Sequence, residues 1–358
     1  MKIREVQIRK ENLGLKRPYT IAYKSVDSVE NVVVTIRLEQ GITGWGAANP
    51  SKYVVGEDAD DTWKWLTEAD RAAALLTGAD IRALGELLNR VHQTFGGHPG
   101  AQAALDIALH DAFCNAIGVP LLKWLGQAHE KMLTSVTIGI KSVAETLAEA
   151  EEYVGLGFRC LKVKLGHSWE EDVARVVKLR ERWQGLPIRV DANQGYTPET
   201  LLKFFHGIRD CDIELIEQPL PANAMAAYRE LPEMIKSKIA IDESLISPDD
   251  AYRLSLPPGA GGIFNIKLMK CGGIREALQI AAIARRAGIA LMWGCNDESI
   301  ISITAALHTA LSCPHTQYVD LDGSFDLARD VVSGGFRLQE GYLIPLLDRA
   351  GLGLKSLS

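Results

Sequence analysis

Apolar and polar positions alternate along residues 3–10. Val29 to Leu38 form a β-branched run that meets a second short run, ending near Trp45, across a turn at Gly41. Period-two alternation around a glycine turn predicts a strand followed by a hairpin. The spacing then changes to helical recurrence over residues 60–75, 81–93 and 100–117, the last stopped by Gly118-Val119-Pro120. The cluster Gly96-Gly97-His98-Pro99-Gly100 interrupts that stretch. Residues 1–125 therefore read as an α+β unit.

From about residue 133 the pattern becomes regular. Short apolar or β-branched runs begin near Leu133, Cys160, Ile188, Ile213, Ile239, Ile263, Ala290 and Gln317, in steps of 24 to 28 residues. Helical segments lie between them, among them 144–153, 170–182 and 274–287. Eight strands alternating with helices at that step predict parallel βαβ units, and their number and length match a (β/α)₈-type barrel over residues 126–329. A doubly wound sheet is the rival arrangement. Residues 330–358 leave the pattern and are expected to return to the N-terminal unit. Trp45, Trp63, Trp65 and Trp124 fall where a cap-to-barrel interface would use them.

Barrel enzymes build their sites at the C-terminal ends of the strands. Here those ends read Lys162-Val163-Lys164, Asp191-Ala192-Asn193, Glu217-Gln218-Pro219, Asp242-Glu243-Ser244, Asn265-Ile266-Lys267 and Asp320-Leu321-Asp322. Charge is costly beside a packed core, yet each of these strands stops on it. Asp191, Glu217 and Asp242 come from three neighbouring strands, and three like charges together call for a cation. An all-oxygen set suits a hard ion, Mg²⁺ before Mn²⁺, and disfavours Zn²⁺. The alternative is that each carboxylate caps the helix that follows it.

Lys162 and Lys164 lie two apart on one strand and so point the same way. Lys267 belongs to the opposite wall. A substrate at the metal would meet a lysine on each face, with amine pKa values lowered by the metal and by a second ammonium. Plain ion pairing with the carboxylates is the competing reading. A substrate carboxylate held by the metal would acidify the adjacent C–H, with enediolate charge resting on the metal and Lys162. Two bases on opposite faces permit racemisation or epimerisation.

These motifs, with Asn265-Ile266-Lys267-Leu268-Met269-Lys270, closely resemble the muconate-lactonising subgroup of the enolase superfamily, along nearly the whole chain. The resemblance implies a modified (β/α)₇β barrel with an N-terminal α+β capping domain. It implies Mg²⁺ on Asp191, Glu217 and Asp242, with Lys164 and Lys267 as the acid/base pair and Lys162 polarising the substrate carboxylate. Lys270 is expected to be structural. Asp320 and Asp322 match a D-x-D motif of dipeptide epimerases, where two aspartates make a socket for a substrate ammonium. Thr137 matches a dipeptide-contacting position. Relatives acting on Ala-Glu carry an apolar residue where this chain has Asp297, so a cationic second side chain is expected. Asp297 as a solvated loop residue or helix N-cap is the alternative. Lys24, in the cap loop Tyr19 to Val26, matches a basic position that can meet an acidic group. Tyr19, Tyr23 and Tyr53 are candidates for lining that lid.

The expected activity is thus a dipeptide epimerase inverting the α-carbon of the second residue. The alternatives are an L-Ala-D/L-Glu epimerase, an o-succinylbenzoate synthase, an N-acylamino acid racemase or a cycloisomerase. A decayed, non-catalytic binder is the reading from another class.

Composition narrows the classes further. The 358 residues are 47% apolar and 23% charged, with a formal net charge of −6, a poor match to nucleic acid or an anionic membrane. No run approaches the roughly 18 apolar residues of a membrane span. The N-terminus lacks the apolar core of a signal peptide. Six cysteines without a C-x-x-C pair fit a reducing cytoplasm. No Gly-rich phosphate loop is present. The pattern leaves a homo-oligomer open.

Overall fold

The computed structural model describes residues 1–16, 19–21, 24–26 and 28–357, with backbone alone for 19–21 and 24–26. An antiparallel three-stranded sheet opens the chain: Ile3–Asn12 pairs with Glu30–Leu38, which pairs in turn with Thr43–Ala48. Its β-branched centre, Val32 to Ile36, is buried throughout, as the pattern requires. The helical region that reads as one element over 60–75 is two helices, Ala59–Thr67 and Arg71–Leu76. They break where Ala69 and Asp70 both take positive φ values. Alanine at φ 52° is unusual, and the periodicity carries no trace of it.

Helix Pro99–Ile117 is the spine of this unit. Proline occupies its first turn and Gly118, at φ 71°, ends it. Apolar and small residues run almost all round it, and the helix is buried on every face for most of its length. It meets the third strand at backbone distance: a Cβ on Gly44 would lie 2.3 Å from the Ala112 nitrogen, and one on Gly46 would lie 1.9 Å from the Ala104 carbonyl oxygen. No other residue type fits at either place.

The barrel strands are Val136–Ile138, Leu161–Lys164, Ile188–Asp191, Ile216–Glu217, Ile239–Ile241, Ile263–Ile266, Ala290–Gly294 and Thr316–Asp320. All pair in parallel and in chain order, and a bridge between Thr134 and Val319 joins the two ends. The run at Leu133 is not the first barrel strand. Met132–Leu133 pairs antiparallel with Tyr342–Pro345 outside the barrel, and the barrel begins three residues later.

The C-terminal residues contact both units, Gly341 accepting the Thr134 N–H beside the first barrel strand at 3.0 Å. Leu352 donates its N–H to the buried Asp111 of the long helix, and Leu121 bonds to Gly351. The tryptophan expectation holds poorly. Trp63 and Trp124 are 43% and 40% exposed, and Trp65 stacks on His98 inside the cap. Among the described residues no helix is long and apolar enough to cross a membrane.

Candidate active site

Register places the charged residues. Asp191 pairs with Lys164 on one side and Glu217 on the other, and Asp242 follows strand Ile239–Ile241 directly. All three carboxylates are buried. None of them caps the next helix: Thr197, Ala224 and Ser247 hold those positions. The capping alternative is excluded.

Lysines stand between the carboxylates. The Lys162 ammonium lies 2.7 Å from Glu217, 3.1 Å from Asp191 and 2.8 Å from Asp320. Lys164 donates to Asp191 at 2.6 Å, and Lys267 donates to Asp242 at 2.8 Å. Lys270 is locked: its ammonium contacts the Asp242 carboxylate and donates to the carbonyls of Asp242 (2.6 Å) and Asn265 (3.0 Å). Side-chain exposure separates the four, at 4% for Lys162 and 3% for Lys270 against 18% for Lys164 and 11% for Lys267. Only Lys164 and Lys267 reach toward the mouth. Gly294 ends the seventh strand beside Lys267, where a Cβ would lie 3.0 Å from the lysine's Cε.

Among the described residues, no three carboxylate, imidazole or thiol groups close into a ready metal cage, because ammonium groups intervene. The donor set nevertheless fits a hard cation. Glu217 Oε2 is within ion-pair range of Lys162 yet has no hydrogen bond of good geometry. Burial and the neighbouring Asp191 charge push Glu217 up to about 8, with Asp242 adding to the rise. Against the upward push of burial, Lys164 and Lys162 hold Asp191 at about 2, and Lys267 and Lys270 hold Asp242 well below its usual range.

Burial alone would lower Lys162 and Lys267, but facing carboxylates raise both. The second ammonium does pull Lys267 down, by less than Asp242 and Glu217 push it up.

Asp320 and Asp322 are not equivalent. Buried Asp320 accepts from Lys162 and, at 2.6 Å, from the Ser135 hydroxyl. Partly buried Asp322 accepts the Thr137 N–H at 2.7 Å, and burial with the Asp320 charge raises it to about 7. Asp297 sits in the loop after the seventh strand. It is not the helix cap, since Ser299 accepts the Ile301 N–H. Lys24 lies on a short hairpin strand, but its side chain and that of Tyr19 fall outside the described residues, as does all of Tyr23. Tyr53 is exposed.

Two amides were given no role by the sequence reading. Asn265 donates to Glu217 at 2.9 Å. Gln218, at φ 33°, accepts the Asp242 N–H and donates to Tyr228 and Ser244, tying the fourth and fifth strand ends together. A buried amide in an apolar strand (Asn265) or directly at its end (Gln218) is the signal that marks both.

Residues 3–126 match the family described as mandelate racemase / muconate lactonizing enzyme, N-terminal domain, and residues 145–356 match enolase C-terminal domain-like. The chain is 51% identical to the L-Lys-D/L-Arg epimerase of Methylococcus capsulatus, over 99% of each chain. It is 49% identical to the L-Lys-D/L-Arg epimerase of Desulforapulum autotrophicum over the full length of both. A crystal structure of dipeptide epimerase from Methylococcus capsulatus, complexed with Mg and the dipeptide L-Arg-D-Lys, superposes with a TM-score of 0.96 at 51% identity, covering 99% of each chain. Cap and barrel alike, the chain belongs to the mandelate racemase/muconate-lactonising family of the enolase superfamily.

Proposed function

We propose that this chain is a Mg²⁺-dependent dipeptide epimerase that inverts the α-carbon of the second residue and prefers cationic dipeptides. The observation that carries it is the placement of two partly exposed lysines at opposite ends of one row of buried carboxylates, Lys164 on Asp191 and Lys267 on Asp242. The names of the two half-identical relatives support the substrate class.

Asp191, Glu217 and Asp242 would hold the metal. Bound there, Mg²⁺ supplies positive charge that draws electrons from a substrate carboxylate and acidifies the neighbouring C–H. Lys164 and Lys267 take the α-proton from one face and return one to the other. Asp242, once engaged in holding the metal, would hold Lys267 in its charged form less strongly. Lys162, fixed by three carboxylates, points its ammonium at the same place and orients the substrate carboxylate. Asp322 and Thr137 receive the dipeptide's amino end, and Asp297 receives its cationic side chain.

Incubation with Mg²⁺ in D₂O and a mixed library of L,L-dipeptides, read by mass spectrometry, tests this directly. A gain of one mass unit is expected in dipeptides with Lys or Arg second. Exchange confined to Ala-Glu types would remove the cationic preference. Exchange of N-succinyl amino acids with none in dipeptides would move the assignment to a racemase of the same fold.

A further inference from the structure

Two hydrogen bonds cross from the cap to the loop after the seventh barrel strand. Asn49, the first residue beyond cap strand Thr43–Ala48, donates from Nδ2 to the Asp297 carbonyl at 2.8 Å. Its own carbonyl accepts from Asn296 Nδ2 at 2.9 Å. The Asn49 N–H lies 3.4 Å from the sulfur of Met269, in the helical turn that follows Lys267. One cap residue thus touches the segments after both the sixth and the seventh strand.

From below, the same loop is held by the barrel. Asn296 donates to its neighbour Glu298 at 2.8 Å, and Glu298 donates to the Gly323 carbonyl at 3.3 Å. A Cβ on Gly323 would lie 1.9 Å from the Asn296 carbonyl oxygen, so the loop presses on the eighth strand's exit as well. These contacts fix residues 296 and 298. The Asp297 peptide carbonyl is held from the cap side, by Asn49.

We infer that Asn49 is a positioning residue for substrate selectivity, setting the Asp297 backbone and with it the place of the Asp297 carboxylate. The inference rests on the reading of Asp297 as the group that meets a cationic side chain. An aspartate has two side-chain torsions, so its carboxylate follows the backbone closely. Charge attraction is steep at this range. Separating a unit pair from about 4 to about 6 Å, at the effective dielectric usual near a protein surface, lowers the corresponding binding constant about tenfold.

The test measures kcat and KM for α-proton exchange with L-Arg-L-Lys and with L-Ala-L-Ala, each loaded with Mg²⁺. The proteins are wild type, Asn49→Ala, Asp297→Ala and the double variant. Asn49→Ala is expected to lower the selectivity ratio for the cationic dipeptide about tenfold, chiefly through KM, and to add nothing to it in the Asp297→Ala background. Asn296→Ala removes the second cross-domain bond while leaving Asn49 intact, and should shift the ratio the same way. Asn49→Gln keeps the donor and should restore part of it. An equal loss with both substrates, or an undiminished effect in the Asp297→Ala background, overturns the inference. A wild type with no cationic preference, or one that Asp297→Ala leaves intact, instead overturns the reading of Asp297, and the inference falls with it.

Discussion

Lys267 and Lys270 are three residues apart and both contact Asp242, yet the structure gives them different lives. Lys270 is boxed in by two backbone carbonyls and a carboxylate, whereas Lys267 keeps a path to the mouth. The motif was legible because charged residues ending barrel strands are rare and costly. The distinction between Asp320 and Asp322 was not, since alternation puts both on one face and says nothing of Ser135 or Thr137 reaching them from the first strand. His308 was equally silent in the sequence. It is fully buried on helix Ile300–Ser312, and neither ring nitrogen has a hydrogen-bond partner among the described residues. Burial lowers its pKa to about 3, so the folded state disfavours the imidazolium. The stability this confers is complete above the ordinary histidine range and is lost as pH falls toward 3, because the unfolded chain takes up the proton first. At pH 5 the loss amounts to about 2 kcal/mol. His308→Leu should therefore gain about that much over wild type at pH 5 relative to their difference at pH 8, in urea unfolding at both values. A wild-type stability equal at the two pH values, or a parallel decline in the variant, would remove His308 as the cause.

At the level of elements, the strand-and-helix count of the barrel was readable because each βα step repeats, and repetition averages out local error. Single boundaries were not, and the reason is visible at the strand ends. Asn193, Gln194 and Gln218 take positive φ values of 40°, 67° and 33°, conformations their residue types do not announce. Such strain persists where surrounding contacts over-determine it. The loops after the second and third strands show how tightly. Gly166, at φ 112°, lies so close that a Cβ would come within 2.5 Å of the Ala192 carbonyl oxygen, and one on Gly195 within 2.5 Å of the Gly166 oxygen. These loops touch backbone to backbone immediately behind Lys164 and Asp191. Gly166→Ala must push them apart. It should cost about 1 to 3 kcal/mol of stability through strain and reduce α-proton exchange at least tenfold, since an ångström of displacement at a reacting group is worth more than that. Exchange rate and urea midpoint measured on the same preparation check it. Unchanged exchange would show that Lys164 does not depend on this contact.

For the whole molecule, the division into cap and barrel was legible from the change of period near residue 133, but the bonding across it was not, because it joins residues far apart in the chain. Asp106, on the long cap helix, accepts the Ile274 N–H at 2.8 Å and so caps barrel helix Ile274–Ala287. Residues of cap and barrel also form one continuous buried cluster. The two units should consequently unfold together. Tryptophan fluorescence, with Trp45, Trp63 and Trp65 reporting the cap and Trp169, Trp183 and Trp293 the barrel, should give one urea transition coincident with circular dichroism. Asp106→Ala should lower the midpoint by the equivalent of about 1 kcal/mol without splitting the transition. A split would show two independently stable units. The backbone contact of Gly44 and Gly46 with the long helix has a consequence over evolutionary time. A sheet and helix that meet without side chains between them have no side chains there to vary, so substitution cannot re-angle one against the other. Descendants of this chain can vary the loops in front of that slab, while the slab itself is inherited whole.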